Sequence, residues 1–94
     1  MAPDGSGLKT KTFEEEVRQT FENLKAILED AGSGMQHVVK TNVYLDNMDN
    51  FGEMNAIYKE YFPSDYPART TIQAARLPLN IRIEIEAVAI LPSA

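Results

Sequence analysis

Three side chains in the last third of the chain have types and spacing that could do chemistry. Arg69 follows Pro67-Ala68 in the stretch DYPARTTIQAARLPLNIRIEIEAVAI, residues 65–90. A guanidinium is planar, permanently charged and bidentate, so one fixed at a strand start suits a small-molecule carboxylate. Spacing alone favours a plainer reading, a solvated charge at a strand end. Thr71 lies two residues on, so its hydroxyl is expected on the same face as Arg69. It could help place a ligand or a water, although a lone strand threonine is more often just a good β-former. Glu84 sits in the alternating run Arg82, Glu84, Glu86, Val88, Ile90. From the residues alone, that run is best read as a solvated face whose charges offset one another. At a subunit boundary, beside a cationic or protonatable partner, Glu84 could instead orient a water or shuttle a proton.

Other chemistries are poorly supplied. The chain has no cysteine, which excludes disulfides, a thiol nucleophile and thiolate metal sites. Its single histidine, His37, has no metal-ligand spacing around it, so no metal is expected. GSG occurs at 5–7 and 32–34, but neither copy follows a strand, so no phosphate cradle is read there. No Ser-His-Asp arrangement can be argued. The net charge is −5, and the lysines and arginines are scattered, which argues against a nucleic-acid partner. No apolar run reaches membrane-spanning length, and MAPDGSGLKTKT has no apolar signal core. The expectation is a soluble intracellular protein without a membrane partner, cytoplasmic, with the mitochondrion as the alternative.

The elements that must position these residues form one small domain over residues 12–94, after a loose Gly-, Pro-, Ser- and Lys-containing segment at 1–11. Thr12 with Glu15 makes a capping box. Phe13, Val17, Phe21, Leu24 and Leu28 then form an apolar helical stripe that ends at DAGSG, with Thr20, Ile27 and Ala31 on its flank. HVVKTNVYL, 37–45, predicts a strand with Val39, Thr41, Val43 and Leu45 on one face. Asn50 with Glu53 repeats the capping spacing before a second helix, whose stripe is Phe51, Met54, Tyr58 and Tyr61 or Phe62 and which stops at Pro63. Strands are expected at about 69–75 and 81–90. In the latter, Ile81, Ile83, Ile85, Ala87 and Ala89 face the helices. The order is α-β-α-β-β, an α+β layer with both helices on one face of a mixed sheet. So small a sheet, with Val, Ile, Tyr and Thr on its other face, suggests contact with another subunit.

YPARTTIQAARLPLNIRIEIEAVAI and ENLKAILEDAGSGMQHVVKTNVYLDNMDNFGEMNAIYKEYF together resemble the RidA/YjgF family, the reactive imine and enamine deaminases, from about Thr12 to Ile90. The resemblance implies a chorismate-mutase-like α+β fold assembled as a homotrimer, with ligand clefts between subunits. It implies hydrolysis of 2-imino and enamine acids, such as 2-iminobutanoate and 2-iminopropanoate, to 2-oxo acids and ammonia, with no cofactor or metal. Carried over by residue, Arg69 would clamp the substrate carboxylate and Glu84 would hold or activate the attacking water. Thr71 takes a position that is often Cys in the family. Members usually open with two further strands bearing YSQA-like and SGQ-like segments, and MAPDGSGLKTKT matches neither. The competing readings are a non-catalytic module that binds small carboxylates, a chaperone-like protein using exposed sheet surface, and, least favoured on charge, a ribonuclease or translation inhibitor.

Overall fold

A computed structural model describes residues 12–63 and 66–92, so the expectation of a loose segment at 1–11 lies outside the described residues. Helix α1 spans Phe13–Asp30. Its start is the capping box: Glu15 N donates to Thr12 Oγ1 at 3.1 Å, and Thr12 N donates to Glu15 Oε1 at 2.9 Å. Two of the helix's orphan N–H groups are thereby satisfied. Its end is set by Gly32, whose φ of +86° lies in the left-handed region. Gly32 N and Ser33 N reach back to Glu29 O and Leu28 O at 3.0 and 2.8 Å, closing the helix without a Cβ clash.

Strand β1 follows at Val38–Leu45, helix α2 at Phe51–Tyr61, strand β2 at Ala68–Gln73 and strand β3 at Ile83–Ala89. The element order is the expected α-β-α-β-β, although β2 and β3 are shorter than the sequence suggested. The sheet order is β2-β1-β3, with β1 parallel to β2 and antiparallel to β3. Both helices bury against the face bearing Thr41, Val43, Leu45 and Ile83. There Phe13, Val17, Phe21, Met54, Ile57, Tyr58 and Phe62 complete the core. An aromatic cluster joins the two helices: the Phe21 ring stacks on Tyr61 at 4.8 Å and meets Tyr58 edge-on at 5.9 Å.

Four local expectations are corrected. A β-bulge lies between Val38 and Lys40, which pair with Ala89 and Val88. The extra residue shifts the alternation, so Val38 faces the core and Val39, expected there, is 46 % exposed. Asn50 makes no side-chain cap; a short 3₁₀ turn, Met48–Asn50, precedes α2, and its cap is Asn47, whose side chain accepts from Asp49 N at 2.9 Å. Ile27, on the expected flank of the α1 stripe, is 66 % exposed, whereas Ile57, outside the expected α2 stripe, is core. Arg82 precedes β3 and does not join the Glu84–Glu86 row. Its Nε and backbone N donate to the two carboxylate oxygens of buried Glu16 at 2.7 and 2.6 Å, tying the start of β3 to α1.

Candidate active site

Register places Arg69 beside Thr41 and Thr71 beside Val43, so both side chains belong to the helix-facing side of the sheet, as spacing predicted. Helix α2 presents Phe51, Asn55 and Tyr58 at steps of four and three, one face of a helix, toward the start of β2. The Arg69 guanidinium lies 4.6 Å from the Tyr58 ring centroid and 5.4 Å from that of Phe51. Its Nη1 donates to Asn55 Oδ1 at 2.6 Å. Cation–π contact on two rings and one neutral acceptor hold the planar fork in place without neutralising it. Among the described residues no carboxylate pairs with Arg69. A cavity of about 330 Å³ opens at this position, lined by Asn55, Tyr58, Lys59, Tyr66, Pro67 and Arg69. Its walls offer two cations, an amide and aromatic surface, a chemistry suited to a small carboxylate.

Tyr58 is the hub of this arrangement. Its ring supports Arg69, and its hydroxyl pairs with Thr41 at 2.8 Å inside the core. The guanidinium is therefore anchored to the most buried part of the protein. Thr71 does not line the cavity. Its Oγ1 is enclosed and has no hydrogen-bond partner among the described residues.

Glu84 lies elsewhere. Its register partner is Tyr44, on the face of the sheet turned away from the helices. The Tyr44 hydroxyl donates to Glu86 Oε1 at 2.8 Å, and that bond, with lesser help from burial and the charges of both carboxylates, pushes the phenol above its usual range. Glu86 is thus engaged, whereas the Glu84 carboxylate has no hydrogen-bond or ion-pair partner among the described residues. Within one chain the sheet separates Arg69 from Glu84. The structure brings Arg69 together with Asn55, Phe51 and Tyr58, which sequence reasoning did not assign to a site. Their helical spacing was visible, but nothing in it told which strand they would meet. His37 ends a short 3₁₀ turn ahead of β1, and its carbonyl accepts from Ile90 N, a structural position. Among the described residues no group of side chains could hold a metal ion, and no helix is long and apolar enough to cross a membrane.

The family model described as endoribonuclease L-PSP matches residues 1–91. The chain belongs to this family, the RidA/YjgF family. The human 2-iminobutanoate/2-iminopropanoate deaminase is 46 % identical over 90 residues, covering 96 % of this chain and 66 % of the human protein. Among solved structures, yeast Mmf1 superposes with a TM-score of 0.85 at 38 % identity, over 87 % of this RidA/YjgF-family chain and 66 % of the yeast one. E. coli TdcF with bound serine gives 0.83 at 33 % identity, over 87 % of this chain and 67 % of TdcF. The chain spans 61 % of the length of a RutC family protein from Pyrococcus horikoshii and 64 % of the deaminase from Dermatophagoides farinae.

Proposed function

We propose that this chain hydrolyses reactive 2-imino and enamine acids, such as 2-iminobutanoate and 2-iminopropanoate, to 2-oxo acids and ammonia, in clefts completed by neighbouring copies of a homotrimer. The observation that carries the reading is Arg69, held over two rings at a cavity mouth with no described carboxylate pairing its charge. In this reading Arg69 grips the substrate carboxylate through charge-assisted hydrogen bonds. The water oxygen adds to C2 of the imine. Glu84 of a neighbouring copy takes one proton from that water and passes it to the nitrogen, giving a carbinolamine, and then carries the remaining hydroxyl proton to the same nitrogen. The C2–N bond then breaks, ammonia leaves and the C=O bond forms, with no change in oxidation state. Thr71, on the same strand face as Arg69, carries a buried hydroxyl with no partner among the described residues, an atom that an enclosed water would satisfy in the assembled cleft. Exposed Val39, Ile72, Val88 and Ile90 give copies an apolar surface to share. Relatives named for this reaction, and the serine in TdcF, support the ligand class.

One observation favours a second reading. A lone chain keeps the Arg69 cavity but has Glu84 on the opposite face, so it would bind a small carboxylate without turning it over. One assay separates the two. A threonine dehydratase generates 2-iminobutanoate in situ, semicarbazide competes for it, and the purified chain is added alone, as R69A, as E84Q, and as the two variants refolded together. The deaminase reading expects activity from the parent, none from either variant, and partial recovery from the mixture, whose hybrid clefts hold one intact Arg69 and one intact Glu84. No recovery on mixing overturns the shared cleft. No activity from the parent, with 2-oxobutanoate still bound, moves the binding reading to first place.

A further inference from the structure

The cavity that holds Arg69 has a second cation. Lys59 lies four residues beyond Asn55 on α2, so the two share a helix face, about 6 Å apart along the axis. Asn55 is the residue that accepts from Arg69, and both Asn55 and Lys59 line the cavity. Lys59 is thus one helical turn beyond the residue that anchors the guanidinium. Among the described lining residues there is no carboxylate, and two of them, Arg69 and Lys59, are cations. A ligand with a single carboxylate satisfies Arg69 and leaves Lys59 to water. A ligand with carboxylates at both ends of a short carbon chain satisfies both.

We propose that Lys59 is a specificity-determining residue that selects dicarboxylic 2-imino and 2-oxo acids of four or five carbons over their monocarboxylic counterparts. This rests on the reading of Arg69 as the clamp for the first carboxylate. Lys59 binds the distal carboxylate as a flexible point charge and plays no part in the bond-making steps. Its side chain is exposed, so the preference it confers is moderate and sensitive to salt.

The test is an NMR titration of the purified chain with 2-oxoglutarate and, separately, 2-oxobutanoate at low ionic strength, for the parent, K59Q, K59R and R69A. The parent should bind 2-oxoglutarate about fivefold more tightly, the upper range for a solvated ion pair. K59Q should weaken 2-oxoglutarate far more than 2-oxobutanoate and bring the ratio of the two affinities to near one, K59R should keep the preference, and added salt should erode it. A structural role for Lys59 would weaken both ligands alike and leave the ratio intact. A parent with no preference, or a ratio unmoved in K59Q, overturns the assignment while leaving the Arg69 clamp standing. R69A should weaken both ligands. If it weakens neither, the clamp itself is refuted and this inference falls with it.

Discussion

Tyr58 joins the core to the candidate site, and a double-mutant cycle separates its two tasks. Its hydroxyl and that of Thr41 are 2.8 Å apart, in residues that are 3 % and 0 % exposed. Tyr58→Phe strands the Thr41 hydroxyl where water cannot reach it, and leaving a buried polar group unpaired costs about 1–3 kcal/mol. Thr41→Val strands the Tyr58 hydroxyl at a similar cost. At about 4–8 °C per kcal/mol for a domain of this size, either variant should lower Tm by about 8–16 °C for a 2 kcal/mol loss. The double variant replaces both hydroxyls by apolar groups of similar shape, so its loss should fall well short of the sum, with a coupling of about 1 kcal/mol or more. Thermal and urea unfolding of the four proteins measure the cycle. Tyr58→Phe keeps the ring beneath Arg69, so 2-oxobutanoate affinity should stay at the parent level. Tyr58→Leu removes the ring and should weaken binding by about two- to fivefold, the scale of an exposed cation–π contact. Additive single losses, or a Tyr58→Phe protein as stable as the parent, would refute the claim that the hydroxyl pair is a buried mutual satisfaction.

Arg69→Ala should weaken 2-oxobutanoate binding by about 10- to 100-fold, the scale of a charge-assisted pair, and Arg69→Lys should recover only part of it, since an ammonium lacks the fork; calorimetric titration reads both. Gly32→Ala places a Cβ on a residue at φ +86° and should cost about 1 kcal/mol in urea unfolding. Glu16→Ala leaves the Arg82 guanidinium and backbone N–H without this carboxylate and should cost about 2 kcal/mol, less than a fully buried pair because the Arg82 side chain remains 32 % exposed. Burial, with the hydrogen bond to Glu22 second, pushes the Tyr61 phenol from 10.0 up to about 12. The folded state therefore favours its protonated form, and the associated stability is fully present below pH 10 and lost as pH rises toward 12. Unfolding midpoints between pH 9 and 12 should fall less steeply in Tyr61→Phe, and parallel curves for the two proteins would contradict the assignment.

Much of the fold was legible because its signals are local. The capping box at Thr12 and Glu15, a closing glycine in DAGSG (Gly32 or Gly34), the helical stripe of Phe13, Val17 and Phe21, and the period-two run of β3 all act within a few residues. Val39 was misplaced because a bulge inserts one residue between two valines of equal β preference, so sequence does not reveal which one takes the core. The Arg82–Glu16 pair spans 66 positions in sequence, and no local rule reports it. Arg69 and Thr71 were legible as co-facial residues at a strand start, whereas their surroundings were not. That Arg69 meets Phe51, Asn55 and Tyr58 depends on α2 crossing beside a parallel β1–β2 pair. Glu84 was legible as a strand carboxylate, but its being the unengaged one depends on Tyr44 choosing Glu86 across the ladder.

The placement of Arg69 and Glu84 on opposite faces of one sheet has a consequence for how the amount of protein matters. If both groups act on one substrate, no chain works alone, and specific activity must fall on dilution once concentration drops below that needed for assembly. Turnover per molecule then rises with expression level instead of staying constant, and the midpoint of a dilution series is an association constant obtained from kinetics. Near the assembly concentration, catalytic output would then gauge crowding among copies, and halving the dose of the gene would cost more than half of the flux.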